Sequence, residues 1–349
     1  MSEAVERFEI RVDDEALVDL HERLVRARVP EALPGRGWDD GVPPAYLEEL
    51  VHYWRDEYDW RREEARLNRF EHFRTEIDGQ AVHFVHARSP HADARPLLLI
   101  HGWPGSIVEF LGVVEPLTHP DRHGGTPADA CHVVVPSLPG YGFSGPTRDP
   151  GWDPHRIAAA FATLMARLGY DGYVAQGGDW GAQIATRLGA LDETHCAALH
   201  LNMPLAEAPT ETEGIELTEA DRTDLAALAR FASAESGYAQ EQSTKPQTIG
   251  AALHDSPVGL LAWIVEKFRA WSDCGGDPES VFGRDDLITN VMLYWVTGTA
   301  TSAARLYAEH RRSRDHVEYV AVPTGVARYP KEILRYPRPW VRSEEHTSE

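Results

Sequence analysis

The sequence predicts an α/β fold: a doubly wound, mostly parallel sheet into which a block of helices is inserted. Three features lead there. Apolar strand-like runs alternate with helical segments between residues 76 and 204. One of these strands, ending Tyr173-Val174-Ala175, enters Gly177-Gly178-Asp179-Trp180-Gly181 and then a helical run over 182–188, so a sharp strand-to-helix turn sits mid-sheet. From 205 to 312 the pattern is helical with no strong strand, and strand character returns at 317–322.

Each element has its own signature. Residues 1–75 read as a helical N-terminal segment. Asp13, Asp14 and Glu15 supply acids at the positive end of a helix over 16–28, and Leu17, Leu20, Leu24 and Val25 form its apolar stripe. Pro30 stops it. A Pro/Gly-rich stretch precedes a Trp/Tyr-rich helix over 44–68, and the turn Asp78-Gly79 separates strands expected at 70–77 and 81–86. The runs 97–100 and 131–136 read as buried central strands, and 157–168 as a helix. Residues 258–271 and 287–307 read as long helices of the inserted cap. The expected division is therefore an N-terminal segment (1–75), core (76–204), cap (205–312) and returning core (313–341), with 342–349 set apart.

Composition narrows the class of function. Thirty-four basic residues against fifty-five acidic ones give a net charge of −21, which argues against nucleic acid as a partner. The three cysteines, Cys131, Cys196 and Cys274, have no metal-ligand spacing and suit a reducing compartment. No run approaches the ~18 apolar residues of a membrane span, and the first residues lack the basic and apolar regions of a secretory signal. A cytoplasmic chain with no membrane anchor, no metal and no organic cofactor is the expectation.

The tip of the turn carries the chemistry. The spacing Gly-x-nucleophile-x-Gly exposes one side chain above a parallel sheet, and that side chain is Asp179. A serine there would need a base before it could attack, whereas a carboxylate is ionised near neutral pH. Attack by Asp on an ester gives a reactive anhydride. Attack on an sp3 carbon bearing a leaving group gives an alkyl ester that water can hydrolyse, so the substrates indicated are epoxides or alkyl halides. A second motif, His101-Gly102-Trp103-Pro104-Gly105-Ser106, follows the 97–100 strand. It is similar to the loop that donates one oxyanion N–H in α/β-hydrolases, the other coming from the residue after the nucleophile. That likeness assigns the backbone N–H groups of Trp103 and Trp180. A third, Ser137-Leu138-Pro139-Gly140-Tyr141-Gly142-Phe143-Ser144, reads as scaffold.

Together these motifs resemble the microsomal-type epoxide hydrolases, over nearly the whole chain. The resemblance implies an α/β-hydrolase core, a helical cap and an N-terminal segment clasping both. It places two cap tyrosines, Tyr238 in Gly237-Tyr238-Ala239-Gln240 and Tyr307 in Ala304-Arg305-Leu306-Tyr307, whose phenols would protonate the opening epoxide oxygen. It matches Glu332 to the acid that orients a catalytic histidine. The implied partners are a small hydrophobic epoxide and water, with a homodimer left open, and the implied product is a vicinal diol. Trp103, Trp180, Phe110, Trp263 and Trp295 are candidates either for the substrate wall or for core packing. The family's histidine lies beyond the acid in a Gly-Gly-His context that is not found here, and His346 does not fit it. The tail over 342–349 reads like a translated sequencing adapter. A chain truncated at its C-terminus, lacking the last strand and helix and stalled after the first chemical step, is therefore expected. The competing readings are a haloalkane dehalogenase, which shares the Asp turn, and a non-catalytic binding protein on the same fold.

Overall fold

The computed structural model describes residues 4–206, 216–313, 315–317, 319–337 and 340–341. In chain order the elements begin with β1 (Glu6–Phe8), α1 (Asp14–Val25), α2 (Pro44–Asp56) and α3 (Trp60–Leu67). The core follows as β2 (His72–Ile77), β3 (Gln80–Ala87), β4 (Arg95–Ile100), α4 (Leu111–Thr118), β5 (Cys131–Pro136), α5 (Pro154–Arg167), β6 (Tyr173–Gly177), α6 (Trp180–Leu191) and β7 (Cys196–Asn202). Six helices come next: α7 (Glu219–Ala234), α8 (Gly237–Thr244), α9 (Pro246–Asp255), α10 (Pro257–Ala270), α11 (Arg284–Val296) and α12 (Ala300–Arg312). The last strand among the described residues is β8 (Thr324–Ala327).

These strands form one sheet in the order β1-β2-β3-β5-β4-β6-β7-β8. The β5–β4–β6–β7–β8 part is parallel, while β1, β2 and β3 join antiparallel at one side. A parallel sheet covered on both faces requires continuously apolar strands. Leu98, Ile100, Val133, Val134, Val135 and Ala175 accordingly have no more than traces of exposed surface. Registers Leu97↔Val133 and Leu97↔Val174 put β4 at the centre, so both loops at its C-terminal side and that of β6 open on the same edge of the sheet, where ligands bind in open α/β sheets.

Tertiary context shifted three expectations. The helix read over 44–68 is two helices, because the Asp59 side chain accepts from the Arg61 and Arg62 N–H groups at 2.9 and 3.2 Å and starts α3 anew. The helix read over 287–307 breaks between α11 and α12 at Gly298, whose φ of 63° leaves the helical region. The described residues of the strand expected at 317–322, which exclude Glu318, are not in strand form, and Val320 and Val322 instead pack over Gly189 of α6. Pairing with β7 begins after Pro323, which has no N–H to give but accepts from Leu199 N–H at 2.9 Å. The short β1, read as part of a helical segment, is the other addition. The tail at 342–349, with His346, lies outside the described residues.

The N-terminal segment ties itself to the core and to α11. Leu50 and Leu67 are fully buried. Tyr53 Oη donates to Asp285 at 2.9 Å, Tyr58 Oη lies 2.9 Å from Thr289 Oγ1, and Arg66 pairs with Asp286 at 2.9 Å. The buried Glu64 carboxylate accepts from Val12 N–H at 2.7 Å and Trp60 Nε1 at 3.1 Å and pairs with Arg61 at 2.7 Å. No single helix among the described residues is long and apolar enough to cross a membrane. Replacing Glu64 with Ala leaves two buried donors unmatched and should lower the unfolding free energy by about 2–4 kcal/mol; urea unfolding followed by circular dichroism measures it, and a loss under ~0.5 kcal/mol would show that the clasp does not depend on this carboxylate.

Candidate active site

Asp179 sits at the junction of β6 and α6 with φ of 53° and ψ of −128°, a left-handed conformation costly for a residue with a Cβ. The turn is possible only because its neighbours have no side chains. A Cβ on Gly177 would stand 2.1 Å from the Gly181 carbonyl oxygen, and one on Gly181 would stand 2.0 Å from the Ile100 carbonyl oxygen. Helix α6 is thereby pressed against the end of β4, and the loop leaving β4 is brought over Asp179. Gly102 faces the carboxylate so closely that a Cβ there would lie 2.2 Å from Oδ1.

This loop supplies the contact. Trp103 N–H donates to Asp179 Oδ1 at 2.8 Å, and Trp180 N–H, at the start of α6, also donates to the carboxylate. Burial pushes the Asp179 carboxyl up to about 6. The two N–H bonds oppose that push, and the charge of Glu332 adds to it. The loop itself is fastened from both sides. His101 is buried and held neutral, its pKa lowered by burial to about 4. It hydrogen-bonds the Gly102 carbonyl through Nδ1 at 2.9 Å and accepts the Leu138 N–H at Nε2 at 3.1 Å. From α11, Asn290 Nδ2 donates to the Pro104 carbonyl at 2.7 Å and Tyr294 Oη to the Gly105 carbonyl at 2.6 Å. The motif at 137–144 thus serves as an anchor for the loop through Leu138.

Tyr238 on α8 and Tyr307 on α12 meet over the carboxylate. Their ring centroids are 6.0 Å apart at 81° and the two phenols are hydrogen-bonded to each other. Tyr238 stacks on Trp103 at 5.1 Å and 9°, and Tyr307 meets Trp180 edge-on at 4.7 Å. Both phenols are pushed above their ordinary range, first by burial and then by neighbouring negative charge, that of Asp179 included. Five residues singled out in the sequence, Trp103, Asp179, Trp180, Tyr238 and Tyr307, therefore converge on one point from β4, β6, α6, α8 and α12.

Glu332 stands off from this cluster yet is felt by it electrostatically. It is half-buried, raised by that burial, and hydrogen-bonded to Ile333 N–H at 3.0 Å and to the Asn202 side chain. Its loop is held to α7 by Asp224, a buried carboxylate paired with Arg328 and, at 3.0 Å, with Arg335. A cavity of about 1260 Å³ opens here, with Glu332, Phe231, Trp263 and Trp271 in its wall. Trp271 also packs on Tyr238 at 5.0 Å, so it joins the cavity to the aromatic cluster.

This chain is similar to proteins of known class over most of its length. Residues 5–110 match the family described as the epoxide hydrolase N terminus, and residues 95–252 match the alpha/beta hydrolase fold. It is 49% identical to a putative epoxide hydrolase of Stigmatella aurantiaca, covering 95% of this chain and 76% of that one. The chain belongs to the epoxide hydrolase family. Identity to epoxide hydrolase 1 of Sus scrofa is 38%, covering 98% of this chain and 82% of the relative. Among solved structures, juvenile hormone epoxide hydrolase of the silkworm Bombyx mori superposes with a TM-score of 0.88 at 33% identity, covering 96% and 85% of the two chains. The epoxide hydrolase of Aspergillus niger gives 0.86 at 36% identity, covering 97% and 87%. The fold is the α/β-hydrolase fold, and the chain is an epoxide hydrolase.

Two residues of this epoxide hydrolase's site escaped the sequence reading. Glu109 borders open space, yet protein surrounds it so closely that its carboxyl is pushed up to about 8. Burial is the main cause and the Asp179 charge adds to it, while the Gly102 N–H opposes them. The signal was present as a lone acid in the apolar run Ile107-Val108-Glu109-Phe110-Leu111. The other is Trp271, whereas Trp295, a wall candidate, lies under Arg23 of α1 at 5.7 Å. Trp263 donates to Gln242 at 3.1 Å while lining the cavity, and Phe110 is partly buried against the core.

The raised Asp179 carboxyl has a stability consequence. Its folded value, about 6, lies above the ordinary 3.8, so the folded state holds the proton more tightly than the unfolded one. The ionised group therefore costs stability above pH ~6, and the cost fades as pH falls toward ~4. Asp179→Asn should stabilise the fold by on the order of 2–3 kcal/mol at pH 8, with the gain shrinking between pH 6 and 4. Thermal melts of both proteins across that range measure this, and a gain independent of pH would contradict the cause given.

Proposed function

We propose that this epoxide hydrolase, of the microsomal type, works through an aspartyl ester. The observation carrying the proposal is the convergence of a carboxylate held by two N–H groups with a pair of hydrogen-bonded phenols. One Asp179 oxygen attacks the less hindered epoxide carbon and the C–O bond on that carbon breaks. The departing oxygen takes a proton from Tyr238 or Tyr307, leaving a hydroxyalkyl ester and a phenolate. A phenol above its ordinary pKa stays protonated at neutral pH and is available to donate.

The second half uses the same N–H groups. The oxygen that Trp103 already holds becomes the ester carbonyl oxygen and then the oxyanion when water attacks, so the donors are aimed where charge develops. Collapse expels the alkyl oxygen and restores the carboxylate, while the protons of water replace the one lost from tyrosine and complete the vicinal diol. Glu332 is proposed to orient the histidine that would activate this water. Among the described residues its hydrogen-bond partners are Ile333 and Asn202, neither of them a base, so the proposal includes an ester that persists.

Intact-protein mass spectrometry after exposure to styrene oxide tests this. An adduct of one epoxide mass, mapped to Asp179 and lost in Asp179→Asn, is expected. The rate of adduct formation should level off above about pH 7, be half-maximal near pH 6 and fall about tenfold for each pH unit below that, because only the ionised Asp179 attacks. Tyr238→Phe and Tyr307→Phe should each slow it by roughly 10²–10⁴-fold. An adduct that survives Asp179→Asn in the folded protein overturns the mechanism, and free diol without any adduct in the parent overturns the persistence of the ester.

A further inference from the structure

Lys267 is one of only three lysines in the chain, and it is buried, with 8% of its surface exposed. Its position on α10 puts Nζ over the Tyr238 ring, 4.8 Å from the centroid, and 5.6 Å from that of Trp271. Glu266 is its ion-pair partner. Burying a lysine costs free energy, which the pair with the part-buried Glu266 offsets only in part. What the position offers is proximity to the one phenol that also stacks on Trp103.

We propose that Lys267 is a positioning residue for ring opening: its ammonium orients the Tyr238 ring and stabilises the phenolate formed as that tyrosine gives up its proton. The inference rests on the proposed role of Tyr238 as proton donor. A cation over the face of a neutral ring is attracted weakly; once the proton has left, the ring carries negative charge and the attraction becomes one between opposite charges. The interaction therefore strengthens along the reaction, which is the condition for lowering a barrier rather than only binding substrate. Burial, Asp179 and Glu266 disfavour the phenolate and the hydrogen bond with Tyr307 favours it, and a cation over the ring acts in the same sense as that hydrogen bond.

The test is the single-turnover rate of ester formation, followed by intact mass, with two epoxides. One, such as styrene oxide, gives a basic alkoxide. The other carries an electron-withdrawing group that makes the alkoxide less basic and so less dependent on an acid. Lys267→Met should slow the first by roughly three- to thirtyfold, with half-saturating substrate unchanged within about twofold, and slow the second by less than about twofold. Lys267→Arg should recover most of the rate. An equal deficit with both epoxides, or no recovery with Arg, means that Lys267 only holds the scaffold and overturns the proposal. A Lys267→Met rate equal to that of the parent also overturns it, provided Tyr238→Phe is slow; if Tyr238→Phe is not slow, the proton-donor reading has failed instead. Should Lys267→Met lose its cooperative melt, Glu266→Gln reads the same field from the other side. Removing the acid that opposes the ammonium should speed ester formation two- to threefold with styrene oxide, and a rate at or below the parent's overturns the proposal.

Discussion

Everything at the centre of this molecule depends on one short hydrogen bond, from the Trp103 N–H to Asp179 Oδ1 at 2.8 Å. A carboxylate enclosed by protein is unfavourable, and here it also occupies a backbone conformation that disfavours any side chain. The Trp103 N–H, with that of Trp180 acting in the same sense, offsets part of that cost. For them to be there, α6 must abut the end of β4, which is why Gly177 and Gly181 leave no room for a Cβ. The same pair of donors serves charge on Asp179 before reaction and on the proposed tetrahedral intermediate after it. The site is thus organised around charge that stays in nearly one place while the covalent chemistry changes around it.

Trp103 connects this bond to the cap. Its N–H is directed at the carboxylate and its indole stacks on Tyr238, so a displacement of the loop would misplace the proposed nucleophile and the proposed acid together. Three hydrogen bonds from α11 resist that displacement. Asn290 and Tyr294 hold the carbonyls of Pro104 and Gly105, and Asn290 Oδ1 accepts from Ser106 Oγ at 2.7 Å. Helix α11 is in turn gripped by the N-terminal segment at Asp285, Asp286 and Thr289. A mechanical path therefore runs from residues 53–66, through one helix, to the donors over Asp179. This accounts for why a segment remote in sequence belongs with the catalytic fold: it fixes the helix that fixes the loop.

The parts legible in the sequence were those where local rules and the global fold agree. The run Cys131–Pro136 reads as a buried strand and forms one with those bounds. The Gly-Gly-Asp-Trp-Gly turn was readable because close approach admits only glycine, and the nature of its tip followed from the chemistry of a carboxylate. Tyr238 and Tyr307 were different. Nothing in the spacing of two among twelve tyrosines marks them, and the resemblance alone placed them; their meeting over Asp179 is a tertiary fact. Glu109, Lys267 and Trp271 were missed for a related reason. Each looks like an ordinary member of a helix or turn until packing brings α10 and the loop after β4 to the same point. The 317–322 run shows the converse, since its strand propensity was real but its methyls were claimed by Gly189 on α6.

The two carboxyls near the loop, Asp179 and the more open Glu109, show how one site holds two acids in different states. Glu109 feels the charge of Asp179, Asp179 feels that of Glu332, and the adjacent Gly102 and Trp103 N–H groups serve Glu109 and Asp179 respectively. Asp179, helped also by the Trp180 N–H of α6, stays near 6; Glu109 has the Gly102 N–H and rises to about 8. Between those values Asp179 is charged and Glu109 carries its proton, so the pair bears one negative charge rather than two across the neutral range. Ionising Glu109 as well would place a second charge near Asp179, the proposed nucleophile, and raise the cost of every anion formed there. Burial raises both carboxyls and the charge of Asp179 raises Glu109 further, so Asp179 is the one that ionises first and Glu109 stays neutral beside it. Both carboxyls are met by the Gly102–Trp103 backbone, which Gly102 allows to approach and which α11 holds in place.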